Sequence, residues 1–259
     1  MDNKVEQVMS PALGQADEEE MLMEGVVRVE DSPRAGMVLS FENAPIKRTA
    51  PVTPSRLVCL NVQAPAAAEF GLLAARLNRF KVQNRMRRVL VAGCGIGTGA
   101  SVISANLALV LAQNPAHRVL LVDANLERPS LSGLFGLPPE SGLSDHLKSG
   151  KPVEDLVCRL EPGGIWFLPA GPPLRKTADS GQIYYSQRLA CLLRMETDWF
   201  DWVVVDPPSL ETWLASRAVA QLCDGIILVV RKGHTERKAF QRALDLLDGL
   251  PILGIAWNE

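Results

Sequence analysis

From residue 88 to the end of the chain, short runs of Val, Ile and Leu recur between segments with helical spacing. The runs are RVLVA at 88–92, RVLLV at 118–122, IWFL at 165–168, WVVV at 202–205, GIILVV at 225–230 and ILGIA at 252–256. They are apolar throughout rather than alternating, so strands built from them need cover on both faces. Helical patterns near 100–113, 130–136, 143–148, 153–158, 186–196, 211–222 and 235–248 supply it. Such alternation predicts an α/β fold, a mostly parallel sheet flanked by helices. Ligands of these sheets lie beyond the carboxyl ends of the strands.

Upstream of the runs the character changes. Residues 1–55 hold an acidic DEEE run at 17–20, scattered prolines and few aromatics. Too little apolar surface is available there to offset the ordering entropy, so a largely disordered acidic tail is expected. VVRV at 26–29 could pair as a strand on binding something, although a solvated tail is the favoured reading. Residues 65–83 place Phe70, Leu73, Leu77 and Phe80 at helical spacing and predict an amphipathic helix. The folded domain is therefore expected over 56–259.

The charge balance excludes several classes. A net charge of −2, with ten acids against five bases in residues 1–55, does not suit a general nucleic-acid binder. The five cysteines form no CxxC pair, which fits free thiols in a reducing compartment. The three histidines form no metal-ligand cluster. No apolar run approaches the roughly 20 residues of a membrane span, and the acidic start is unlike a signal peptide. A cytoplasmic protein with no transmembrane segment of its own is expected.

Between the first apolar run and the next helix lies GCGIGTGAS, residues 93–101. Gly93, Gly95, Gly97 and Gly99 let the backbone turn tightly and bring amide groups close to an anion at a helix start. Three templates fit. GTGAS is a phosphate loop lacking its lysine, with Ser101 placed to reach magnesium. The spacing Gly95, Gly97, Ala100 is a dinucleotide fingerprint, with Asp123 set to meet a ribose. The whole stretch also fits the first motif of S-adenosylmethionine-dependent methyltransferases, with the DPPS at 206–209 in superficial support. Asp123 and Asp206 both follow strands immediately and could face the loop across one crevice.

Downstream, RVLLVDANLERPSLSGLFGL, GLSDHLKSG, GGIWFLPAGPP, FDWVVVDPPS, CDGIILVVRKGHTE and ILGIAWN follow in order. Over about residues 69–259 this series resembles the bacterial tyrosine kinases of capsule and exopolysaccharide synthesis. These belong to the deviant P-loop ATPases (deviant Walker, SIMIBI-type) that include ParA and MinD. The resemblance implies a P-loop NTPase architecture and ATP or ADP with Mg2+ as ligand. It places Gly97, Gly99 and Ser101 in the Walker A loop, with Ser101 as a magnesium ligand. Asp123 matches the carboxylate that positions magnesium and activates the incoming hydroxyl. Asp206 matches Walker B, acting on magnesium. Asn258 matches an adenine-contacting asparagine, and Arg231 an arginine near the nucleotide.

The same resemblance exposes departures. Ala100 stands where the family has the lysine that bridges β- and γ-phosphates. A charge pair at ~4 Å with an effective dielectric of ~20 is worth roughly 4 kcal/mol, so losing half of it at the transition state costs more than about tenfold in rate. Val102 replaces a hydroxyl residue, Asn125 the second carboxylate of a DxD pair, and Glu127 an arginine, with Arg128 following. The family's tyrosine-rich tail has no counterpart, the only tyrosines being Tyr184 and Tyr185. Its ExxRxxR oligomer-forming motif meets Leu72 and Ala75 after Glu69. A degenerate, non-phosphorylating or weakly nucleotide-binding relative is therefore expected. Its partner would be a membrane polysaccharide co-polymerase (Wzz-like) or an active kinase paralogue, which would bring it to the inner membrane peripherally; oligomeric state stays open. The alternatives are an active ATPase or kinase in which another base replaces the lysine, and a methyltransferase.

Overall fold

The computed structural model describes residues 40–51, 53–61, 63–174, 181–196, 198–210 and 213–259. Among these residues eight strands form one sheet: β1 (Ile46–Arg48), β2 (Arg88–Gly93), β3 (Val119–Asp123), β4 (Cys158–Glu161), β5 (Ile165–Leu168), β6 (Trp202–Asp206), β7 (Gly225–Arg231) and β8 (Ile252–Asn258). Their order is β1-β4-β5-β3-β6-β2-β7-β8, and every pairing is parallel except β4 with β5. The six expected strands are all present. The central ones are buried along their whole length, as their uninterrupted apolar composition requires.

Among the described residues seven α-helices accompany the sheet: α1 (Pro65–Asn84), α2 (Ala100–Leu111), α3 (Leu131–Leu134), α4 (Leu143–Ser149), α5 (Gln187–Cys191), α6 (Trp213–Ala220) and α7 (Arg237–Leu246). One apolar core packs on each face of the sheet. Leu77 of α1 and Leu107 and Leu111 of α2 are buried with Val89, Val91 and Val204 on one side. Leu90, Val203 and Leu228 meet Leu189 and Ala215 on the other. α1 begins with proline at its first turn and ends at Arg85, whose φ of 53° puts it in the left-handed region and stops the helix. Among the described residues no helix is long and apolar enough to cross a membrane.

Two expectations need correction. Residues 153–158 do not form a helix: Val153–Asp155 make a single 3₁₀ turn, and Cys158 opens β4. The alternation of buried Cys158 and Leu160 with more exposed Arg159 and Glu161 has period two, and Pro162-Gly163-Gly164 then turns the chain into β5. β1 was also unforeseen. Within the segment expected to be a tail, residues 46–48 pair with β4, and Phe41 is buried against Trp199 and Phe200. The VVRV at 26–29 and the DEEE run lie outside the described residues.

Candidate nucleotide site

β2 delivers the glycine loop to the start of α2 at the carboxyl edge of the sheet. Gly97 (φ 76°) and Gly99 (φ 87°) both hold left-handed backbone that a Cβ would strain. Gly93 serves differently: a Cβ there would come within 2.2 Å of Thr98 Oγ1, so its absence lets the loop fold onto the strand end. Thr98 is buried in consequence. α2 follows directly, so the loop ends at a helix N-terminus with its unpaired amides.

Opposite the loop, β3 and β6 run side by side in a register that sets Asp123 across from Asp206. Both side chains are buried. Asp123 accepts backbone N–H bonds from Asn125 (3.1 Å) and Leu131 (3.2 Å). Asp206 accepts from the Ser101 hydroxyl, and its Oδ1 lies 3.0 Å from Ser104 Oγ. Asp206 Oδ2 is buried with no hydrogen-bond partner among the described residues.

Burial is the main reason both carboxyls sit well above the usual carboxylate range, and the charge of Asp206 adds to the effect on Asp123. The donated hydrogen bonds pull in the other direction without overcoming burial. Two carboxylates forced together in a dry site, one with an orphaned oxygen beside a serine hydroxyl, form a hard oxygen set. It suits a cation such as Mg2+ that keeps several waters. Among the described residues no three His, Cys, Asp or Glu side chains gather around one point, so Ser101 and water must complete any such shell.

The remaining expected residues converge on the same edge. Arg231, at the end of β7, sends Nη1 to the Gly97 carbonyl at 3.3 Å. Asn258, near the end of β8, donates from Nδ2 to the Thr98 carbonyl at 2.8 Å. Ala100 takes the first position of α2. Asn125 accepts from the Arg128 N–H at 3.2 Å and so shapes the turn after β3. Cys94 contributes no thiolate, because burial pushes its pKa up to about 11.

The two tyrosines separate. Tyr184 is buried, with its hydroxyl accepting the Leu126 N–H at 3.2 Å, and burial raises its pKa. Tyr185 is 54% exposed and donates to the Leu214 carbonyl.

Ser104 was missed in the sequence. It stands three residues after Ser101 in a largely apolar helix, which places both hydroxyls on one helical face, and that spacing was the available signal.

The family model described as "Cellulose biosynthesis protein BcsQ" matches residues 86–246, well over half of the chain. The chain belongs to the BcsQ family. Curated relatives of this BcsQ-family chain include the tyrosine-protein kinase CpsD of Streptococcus agalactiae, 28% identical over 167 residues, covering 63% of this chain and 70% of the relative. The succinoglycan biosynthesis transport protein ExoP of Rhizobium meliloti is 29% identical over 219 residues, covering 79% of this chain but 26% of that protein.

Among solved structures, the kinase domain of the Escherichia coli tyrosine kinase ETK superposes with a TM-score of 0.72 at 24% identity, covering 78% of this chain and 79% of that one. The septum site-determining protein MinD of Pyrococcus horikoshii OT3, complexed with Mg-ADP, superposes at 0.50 and 22%, covering 65% and 68%. The expected P-loop fold is thus present, and the resemblance to polysaccharide-linked tyrosine kinases holds.

Proposed function

We propose that this chain is a degenerate member of the polysaccharide-biosynthesis tyrosine-kinase group, a weak binder of magnesium nucleotide that regulates capsule or exopolysaccharide synthesis without transferring phosphoryl groups. The observation that carries the reading is the pairing of two facing carboxylates, Asp123 and Asp206, with a glycine loop followed by Ala100, where the resemblance implies a lysine. Asp123, Asp206 and Ser101 would hold Mg2+, which when bound neutralises phosphate charge. The loop at Gly97 and Gly99 would receive the phosphates, with Arg231 and Asn258 alongside.

The ETK and MinD folds support a nucleotide at this edge. The cellulose-biosynthesis description of the family and the succinoglycan-biosynthesis name of ExoP support a role in polysaccharide assembly; the partner we propose is a membrane co-polymerase or an active kinase paralogue. Such a protein would work in the cytoplasm, peripheral to the membrane through that partner. Burial of Tyr184 supports the absence of self-phosphorylation there, since a kinase needs an accessible hydroxyl.

One observation favours a second reading. The Arg231 guanidinium already touches the loop, so it could replace the missing lysine in an active ATPase. Calorimetric titration with Mg·ADP, Mg·ATP and S-adenosylmethionine, followed by a phosphate-release assay, separates the readings. Weak ADP and ATP binding without phosphate release is expected. Tight ATP binding with turnover sinks the pseudoenzyme reading, and a response to S-adenosylmethionine alone sinks the nucleotide reading.

A further inference from the structure

Arg231 and Asn258 come from the ends of two neighbouring strands, and both reach the carbonyl side of the glycine loop. They take consecutive carbonyls, Gly97 and Thr98. In a planar trans peptide the C=O and the following N–H point in opposite directions. Fixing the Gly97 carbonyl therefore fixes the N–H of Thr98, and fixing the Thr98 carbonyl fixes the N–H of Gly99. The loop needs such restraint, because its two left-handed glycines have the widest backbone freedom of any residue.

The fit at Gly99 is close: a Cβ there would lie 2.2 Å from Asn258 Nδ2. The asparagine amide thus occupies space that any other residue at 99 would claim. Further support holds the two strand ends. The Lys232 N–H donates to the Asn258 carbonyl at 2.9 Å, and the Arg231 N–H to Thr235 Oγ1 at 2.8 Å.

We infer that Asn258, assisted by Arg231, is a positioning residue that latches the phosphate loop and aims its amides, rather than a contact for the base. The inference rests on the proposed nucleotide reading only for its ligand; the latch itself is a property of the free protein.

The test compares the full chain with its Asn258→Ala and Asn258→Asp variants. Calorimetry uses Mg·ATP and Mg·tripolyphosphate, which has no base, and amide hydrogen exchange of residues 97–101 is followed without ligand. A latch predicts that Asn258→Ala weakens both ligands by the same factor, about fivefold for one hydrogen bond. Loop exchange in the free protein should quicken. Asn258→Asp, which has no donor for the Thr98 carbonyl, should behave at least as badly, while melting temperatures stay close to wild type. Weakened ATP with unchanged tripolyphosphate and unchanged exchange overturns the latch in favour of a base contact. If wild type binds neither ligand, the nucleotide reading fails on its own, and the exchange rates alone decide the latch.

Discussion

The two sides of the candidate site differ in kind. The floor, made by the ends of β3 and β6 and the facing side of α2, keeps Asp123, Asp206, Ser101 and Ser104 in a mutually supporting arrangement. The rim, made by the first turn of α2 and the turn after β3, carries Ala100, Val102, Asn125 and Glu127, where the resemblance implies lysine, hydroxyl, carboxylate and arginine. The floor is the costly part. Two buried carboxylates that resist ionisation destabilise a fold, and a chain with no use for them would be more stable with apolar residues there. The rim positions are surface-accessible and cheap to change. The contrast between the two sides is what the proposed reading, ligand accommodation without phosphoryl transfer, rests on.

The sharpest way to break this contrast is at the floor. Asp206→Asn removes a metal-side charge and should weaken Mg·ADP binding on the order of 100-fold, read by calorimetry with and without Mg2+. Equal affinity in both proteins would mean the floor holds no cation. At the rim, Ala100→Lys should tighten Mg·ATP about tenfold while leaving autophosphorylation absent, since Asn125 and Glu127 remain. Robust autophosphorylation of that single variant would show that the lysine was the whole defect.

A third measurement probes the floor's energetics. Both carboxyls have folded pKa values raised above the ordinary carboxylate value, so the native state holds protons that the unfolded chain has released. Their contribution to stability is complete below about pH 4 and is lost as pH rises towards 8. Urea unfolding across that range should show stability from this pair falling with pH, and Asp206→Asn should flatten the slope. A slope identical in the two proteins would remove the pair from the account. The smallest effect is expected from Ser104→Ala. Loss of one hydroxyl contact to Asp206 should cost about 1 kcal/mol at neutral pH and raise the carboxyl's pKa further. No change in either would make Ser104 a bystander.

Much of this was legible in the chain because a buried parallel strand writes itself as an unbroken apolar run. β5 matches its expected limits, and β2, β3, β6 and β7 differ by a residue at one or both ends. β1 and β4 were not legible. Three or four residues with Lys47, Arg48, Arg159 and Glu161 among them give no such run, and only pairing near the sheet's edge makes them strands. In the candidate site, Asp123, Asp206 and Ser101 could be singled out because the carboxylates close the apolar runs of β3 and β6 and the serine follows the glycine turn. The contacts of Asn258 could not be read, since its partner Thr98 lies 160 positions away and only the β2–β7–β8 order brings them together.

The facing carboxyls of β3 and β6 also change what binding a cation means here. A divalent ion settling between Asp123 and Asp206 must evict a hydrogen ion that the protein holds at neutral pH, so uptake of metal is an exchange rather than a simple addition. The heat of a magnesium titration should then track the ionisation enthalpy of the buffer, differing between PIPES and Tris at one pH. Acidification of the surroundings would favour the protonated carboxyls and so oppose metal uptake.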